Sequence, residues 1–245
     1  MYKEEHIINV DRLTKKFGNF IANDDLTFHV KRGEIFGFLG ANGAGKTTAI
    51  RILCGLLLPT SGKIEVAGYD VYRQSNKVKK NIGYMSQKFS LYEDMTIKEN
   101  FRFYGGIYGM SSKEIREKTT HYLTKLGLEA EKNSVIRSLP LGWKQKLSFS
   151  VAMMHDPAII FLDEPTGGVD PVTRRQFWEM IYEVAASGTT VFVTTHYMDE
   201  AEYCQRVSIM VDGRIEALDT PDKLKEQFGA DSMEDVFIML ARGQN

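Results

Sequence analysis

Gly40-Ala41-Asn42-Gly43-Ala44-Gly45-Lys46-Thr47-Thr48 is the stretch on which the reading of this chain turns. It fits the pattern G-x-x-x-x-G-K-[ST] at every fixed position. Each part of the pattern has a job. The glycines let the backbone curl so that successive N–H groups point inward at an anion. The helix that follows presents its positive end to the same anion. Lys46 has the reach for the β- and γ-phosphates of a nucleotide, and Thr47 supplies a hydroxyl for Mg²⁺. Average residue frequencies yield the pattern by accident in roughly one chain of this size per hundred. Here it also follows an apolar strand, Glu34–Leu39, and opens a helix, Lys46–Leu57. That context makes Gly40–Thr48 a phosphate-binding loop.

Outward from the loop, strands and helices alternate. Ile7–Leu13, Leu26–Val30, Lys63–Val66 and Ile82–Met85 read as strands by their β-branched and aromatic content. Between about Met95 and Leu139 the texture turns helical. Thr96–Tyr108 and Ser111–Leu126 are the expected helices, with Ser111 an N-cap and Gly127 a stop. Alternation then resumes with helix Gly142–Met154, strand Ala158–Leu162, helix Val172–Ala186 and strand Thr189–Thr194. Arg206–Val211 and Arg214–Leu218 flank Asp212-Gly213, a hairpin turn. Short helices near Pro221–Phe228 and Ser232–Leu240 close the chain. The pattern predicts an α/β fold with a mostly parallel core sheet, antiparallel character from the early strands and the hairpin, and a helical insertion.

The bulk properties narrow the class. The 245 residues are 43% hydrophobic and 26% charged, as in an ordinary globular protein, with a formal net charge of -1. No bulk nucleic-acid binder is indicated, and the basic run Lys77–Lys80 reads as a solvated face. Cys54 and Cys204 lie in no metal-binding spacing and read as buried reduced thiols. No window approaches the 18 or so apolar residues of a membrane span, and the polar Met1–Glu5 start shows no signal peptide. A membrane role would therefore be peripheral, through a partner.

A second motif supplies acids. Ile159-Ile160-Phe161-Leu162-Asp163-Glu164 is an apolar run ending in two carboxylates. A strand buried on both faces aims such groups from its C-terminal end. Asp163 is placed to hold Mg²⁺ through water, and Glu164 to orient or deprotonate an attacking water. His196 ends the next apolar run, Thr190–Thr195, at the same expected sheet edge. A neutral imidazole there could donate to the γ-phosphate.

Together and in this order, these residues resemble the nucleotide-binding subunit of an ABC transporter over nearly the whole chain. The resemblance implies a P-loop ATPase of ABC type, with residues 1–94 and 156–219 forming the ATPase core and β subdomain. Residues 95–155 would form a helical subdomain, and 220–245 the C-terminal helices. Gly40–Thr48 is similar to the Walker A motif and Ile159–Asp163 to Walker B, with Glu164 in the place of the catalytic glutamate. Gly168-Val169-Asp170 resembles the D-loop and His196 the switch histidine. Gln87 stands at the Q-loop glutamine, which completes the Mg²⁺ shell and senses the membrane partner. Phe17 stands where the family stacks an aromatic on adenine; its other reading is an ordinary core phenylalanine.

The family signature, Leu-Ser-Gly-Gly-Gln, is where this chain departs: it has Leu139-Pro140-Leu141-Gly142-Trp143. Pro140 lacks both the serine hydroxyl and an N–H, although proline is well tolerated in a first helical turn. Gly142 keeps a backbone approach at a helix N-terminus. Two readings stay open, a working variant relying on backbone N–H groups and the weak half of an asymmetric pair. The resemblance implies ATP and Mg²⁺ as ligands and a second ATP-binding subunit whose signature closes the site. It also implies an integral-membrane permease, and a place on the cytoplasmic face of the membrane. Phe89, Leu91 and Tyr92 are the expected groove for that permease, whereas Phe101, Tyr104 and Tyr108 read as packing within the helical subdomain. The Leu91–Thr96 stretch and the Ser232–Phe237 ending resemble the export-type subfamily of drug and antibiotic resistance. The rivals are a soluble ABC-type ATPase with a non-transport role, a kinase or GTPase, and a nucleotide-gated assembly factor. A guanine-reading Asn-Lys-x-Asp is absent, since Asn76-Lys77-Val78-Lys79 lacks the acid.

Overall fold

A computed structural model describes residues 6–87 and 91–243. Its strands are β1 (His6–Phe17), β2 (Phe20–Lys31), β3 (Ile35–Gly40), β4 (Ser61–Val66), β5 (Tyr69–Asp70), β6 (Ile82–Met85), β7 (Ile159–Asp163), β8 (Thr190–Thr195), β9 (Arg206–Val211) and β10 (Arg214–Asp219). Its helices are α1 (Lys46–Leu53), α2 (Ser75–Asn81), α3 (Ile97–Ile107), α4 (Ser112–Leu126), α5 (Leu141–Met153), α6 (Pro171–Ala186), α7 (Pro221–Phe228) and α8 (Met233–Ala241). One sheet has the order β2-β1-β4-β5 and is antiparallel throughout. The other has the order β10-β9-β3-β8-β7-β6, parallel except for the β9–β10 hairpin at Asp212-Gly213.

Every residue of β3, β7 and β8 is buried, which is why these strands are continuous apolar runs. Alternation still sorts their side chains. Phe36, Phe38, Phe161 and Phe192 turn toward the antiparallel sheet and α1, where Phe28 stacks on Phe36 at 5.8 Å. Leu39, Ile160, Leu162, Val191 and Val193 turn toward the helices. Each phenylalanine so buried contributes about 2–3 kcal/mol. The registers Leu39↔Thr195 and Asp163↔Thr194 bring the C-terminal ends of β3, β7 and β8 level. The residues that leave those ends are therefore neighbours.

Local chemistry sets the helix ends. Thr96 and Ser111 cap α3 and α4 in reciprocal boxes with Glu99 and Glu114. Gly127 ends α4 in the left-handed conformation. α1 stops at Leu53 rather than Leu57, because Gly55 takes φ 66° and the Leu56 and Leu57 amides turn back to the Arg51 carbonyl. α2 arises where only a basic run was expected; Lys77, Lys79 and Lys80 point outward and Val78 inward. Phe101, Tyr104 and Tyr108 do pack within the helical region, Tyr108 stacking on His155 at 3.7 Å. Of the expected permease groove, Tyr92 is exposed and packs on Phe103, but Leu91 is buried in the core and is not free for a partner. Phe89 lies outside the described residues. Cys54 and Cys204 are free and buried, and burial raises both thiols well above their usual range. Among the described residues no helix is long and apolar enough to cross a membrane.

Candidate nucleotide site

The phosphate loop leaves β3 at its C-terminal end and enters α1 through Gly45, whose φ of 102° no L side chain adopts readily. A Cβ at Gly45 would stand 2.2 Å from the Ala22 carbonyl of β2, and Asn23 Nδ2 donates to the Gly45 carbonyl at 3.1 Å. Glycine is thus required by both conformation and space. No side chain caps α1, so the amides of its first turn are left for an anion.

Three further stretches converge on this loop, the end of β7, the end of β8 and Gln87. Lys46 is 4% exposed at its side chain; its Nζ donates to the Gly40 and Ala41 carbonyls at 2.7 and 3.1 Å and lies 3.3 Å from Glu164 Oε1. Burial lowers its pKa, and Glu164 opposes that shift. Thr47 Oγ1 donates to Asp163 Oδ1 at 3.3 Å, and Thr194 Oγ1 donates to the same oxygen at 2.7 Å. Burial holds the Asp163 carboxyl above the usual carboxylate range, with both hydroxyls pulling it back. Its Oδ2 is buried and has no partner. Glu164 takes φ 51°, held there as its N–H donates to the Thr194 carbonyl and hydroxyl at 3.1 Å each. Such backbone strain collects at functional sites. Gln87 Nε2 donates to Glu164 Oε2 at 2.8 Å, and His196 Nδ1 lies 3.1 Å from that oxygen. An ammonium, an amide and an imidazole thus face one carboxylate.

An orphaned carboxylate oxygen beside a hydroxyl is the oxygen-rich setting that a hard cation takes. Among the described residues no three His, Cys, Asp or Glu side chains gather to hold a metal on their own. A Mg²⁺ ion here would share its shell with a nucleotide.

The remaining sequence-predicted residues sit around this centre. Phe17 is 49% exposed at the tip of the β1–β2 hairpin, which excludes the core reading; Lys15 Nζ lies 4.8 Å over its ring. Pro140 is the N-cap of α5, one residue before the helix rather than inside its first turn, and offers no side-chain bond. Its carbonyl accepts from the Trp143 and Lys144 amides. A Cβ on Gly142 would meet Thr173 of α6 at 2.6 Å, so the starts of α5 and α6 touch. Asp170 caps α6 through the Thr173 amide at 2.9 Å, after Gly168 turns the chain at φ 77° and Val169 follows half-buried. Leu141, Gly168, Glu164, Gln87, His196 and Asn42 all border one cavity of about 300 Å³.

Sequence reasoning missed the supports. Thr194 fixes both acids, Asn23 braces Gly45, and Gln145 Nε2 donates to the Gly167 carbonyl at 3.1 Å. Thr166 Oγ1 donates to the fully buried Glu200 at 2.5 Å, and Arg174 lies 3.7 Å from the same carboxylate. A hydroxyl inside an apolar strand was the one visible signal, at Thr194.

A phosphate loop entering a helix from a parallel sheet, with acids on the adjacent strand end, defines a P-loop nucleotide-binding domain. The ABC transporter family profile matches residues 23–167. The chain belongs to that family. It is 48% identical over 241 residues to the probable multidrug ABC transporter ATP-binding protein YbhF of Escherichia coli K12, covering 96% of this chain and 42% of that protein. It is 35% identical over 228 residues to the daunorubicin resistance ATP-binding protein DrrA3 of Streptomyces coeruleorubidus, covering 93% of this chain and 72% of the other. An ATP-binding subunit of an ABC transporter superposes with a TM-score of 0.86 at 30% identity, over 96% of this chain and 99% of that one. A dimeric ATP-binding cassette in a post-hydrolysis state with ADP and Pi gives 0.79 at 26% identity, over 87% and 98%. The chain thus spans less than half the length of the multidrug relative.

Proposed function

We propose that this chain binds and hydrolyses Mg-ATP and powers transport, in the export direction, by a separate integral-membrane permease. The carrying observation is convergence. Lys46, Thr47, Gln87, Asp163, Glu164 and His196 come from separate stretches and meet around Gly40–Thr48. Lys46 and the amides of Gly40–Thr48 hold the phosphates, and Phe17 stacks on the adenine. Thr47, Asp163 and Gln87 would hold Mg²⁺, whose charge would offset that of the phosphates. Before nucleotide enters, Lys46 neutralises Glu164. Phosphates would draw Lys46 away, leaving Glu164 to orient water and accept its proton. His196 stands against the same carboxylate oxygen, where it positions that water. The names of YbhF and DrrA3 support the export reading.

The far wall of the site comes from a second ATP-binding subunit through its Leu139–Trp143 and Gly168–Asp170 segments. The helical unit at 95–155 carries that signature, and the assembly sits at the cytoplasmic face through the permease. The test is Glu164→Gln in the purified chain. It keeps Mg-ATP binding and ATP-dependent dimerisation and loses at least about 100-fold in turnover. Unchanged turnover in a phosphate-release assay overturns the assignment of Glu164.

A further inference from the structure

A second cavity, of about 670 Å³, opens between α3, α4 and the segment that follows α4. None of its lining residues belongs to the nucleotide site. Lys98, Arg102 and Gly106 fall four apart and line it from one face of α3. Two adjacent glycines shape it. A Cβ on Gly105 would stand 2.5 Å from Ile115 Cγ1, so the helices touch there. A Cβ on Gly106 would meet nothing within 4 Å, so the next turn is open. Met110, Ile115 and Leu123 give the cavity an apolar wall.

The rim is uniformly basic. Lys98, Arg102, Arg116 and Lys132 line it and no acidic residue does. Among the described residues none of the four has a carboxylate within ion-pair distance. Lys113, Lys118 and Lys125, also on α4, are paired with Glu117, Asp156 and Glu183. The chain as a whole has 32 acids for 31 lysines and arginines, so this separation of charge is local. Four like charges round one concavity repel one another, and an anion between them relieves that repulsion. The planar guanidinium groups of Arg102 and Arg116 suit the oxygens of a phosphate. A bare inorganic ion would leave the apolar wall unused.

We propose that this cavity binds an amphipathic phosphate, its head among the four cations and a short alkyl body along Met110, Ile115 and Leu123. Two sources share that chemistry, an acidic phospholipid and a soluble alkyl phosphate.

The test is calorimetric titration of the full chain with octyl phosphate below its micelle concentration, and with inorganic phosphate. Two variants probe the two halves of the cavity. Arg102→Glu with Arg116→Glu reverses the charge at exposed positions, and Gly106→Phe puts a ring on the turn where a Cβ meets nothing within 4 Å. The expected result is saturable one-to-one binding of octyl phosphate, weakened about ten-fold or more by each variant. Inorganic phosphate should bind about ten-fold more weakly or worse. Absence of saturable binding overturns the proposal. So does equal affinity for inorganic phosphate, or an affinity that neither variant moves. Binding lost in Lys46→Ala but kept in the two cavity variants places the anion on the phosphate loop and overturns it equally. Sedimentation with vesicles of phosphatidylcholine, with and without phosphatidic acid, separates the sources. Acid-dependent pelleting that both variants abolish assigns the site to a phospholipid, and octyl phosphate binding without pelleting assigns it to a soluble anion.

Discussion

Asp163 sets stability against its proposed role at a single residue. Its carboxylate is buried, one oxygen is held by two hydroxyls, and the other has nothing. Burial raises its pKa, so the folded protein binds that proton more tightly than the unfolded chain does. Ionisation therefore costs stability at pH values above the folded pKa, and the cost fades as pH falls through it. Asp163→Asn removes the charge and leaves an oxygen for Thr47 and Thr194. In the absence of nucleotide it should raise the melting temperature at neutral pH, by a margin that shrinks on acidification through the carboxylate range. It should also weaken Mg-ATP binding. A melting temperature lower than that of the parent at neutral pH would contradict the account of the orphaned oxygen.

At the scale of an element, the start of α5 asks what a proline can replace. An N-cap serine offers a side-chain acceptor worth about 1 kcal/mol, which Pro140 lacks. Proline instead restricts the unfolded chain, and its φ of -56° here is strain-free, which is worth about 0.4–1 kcal/mol. The two effects nearly cancel. Pro140→Ser should thus leave urea-unfolding stability within about 1 kcal/mol of the parent. Pro140→Ala, which loses the restriction and gains no cap, should lose about 0.5–1 kcal/mol. If the two variants unfold alike, capping does not govern this end. With stability held at the parent's level, a turnover change in Pro140→Ser reports the hydroxyl itself. What was legible in the sequence divides along the same line between local and distant causes. The Ser111 cap of α4 is written within four consecutive residues and was legible, and so was the strand-to-helix setting of Gly40–Thr48, whereas Thr96, expected inside α3, is its cap. The early stop of α1 and the short β5 have local causes that residue types alone do not announce, the turn back to Arg51 at Gly55 and the close Glu65↔Asp70 and Val66↔Tyr69 pairs, whereas Val78 of α2 and Leu91 are buried by core residues far along the chain. Thr194, Asn23 and Gln145 serve the site only because the fold brings β8, β2 and α5 to it.

At the scale of the whole molecule, the starts of α5 and α6 form one surface tied to the sheet edge that carries the candidate site. Arg174, in the second turn of α6, lies over the Tyr197 ring at 4.4 Å and close to Asp199 and Glu200. Tyr197 in turn lies against His196. The Arg174–Glu200 contact is an ion pair rather than a hydrogen bond, because Arg174 Nε finds no acceptor in good geometry. Removing it still strands a carboxylate that is 0% exposed. Arg174→Ala should cost about 3 kcal/mol in chemical unfolding, and adding Glu200→Gln should recover most of it. Additive losses in the double variant would show that the pair is not coupled. On the outer side of the same surface, Leu141, Trp143 and Val172 are exposed although apolar, beside Gly142, Thr173 and the Asp170 cap. Apolar side chains gathered where two helices begin suit a face that is covered in use. The proposed ATP-bound pair would cover it. In the Glu164→Gln background, Trp143→Glu with Val172→Glu should leave nucleotide binding by the single chain unchanged, since neither residue touches Gly40–Thr48. The same variant should abolish the ATP-dependent shift to dimer mass in light scattering, because two acids from each chain would be buried without partners. A dimer that forms undiminished would place the shared face elsewhere and leave the Leu139–Trp143 segment outside the composite site.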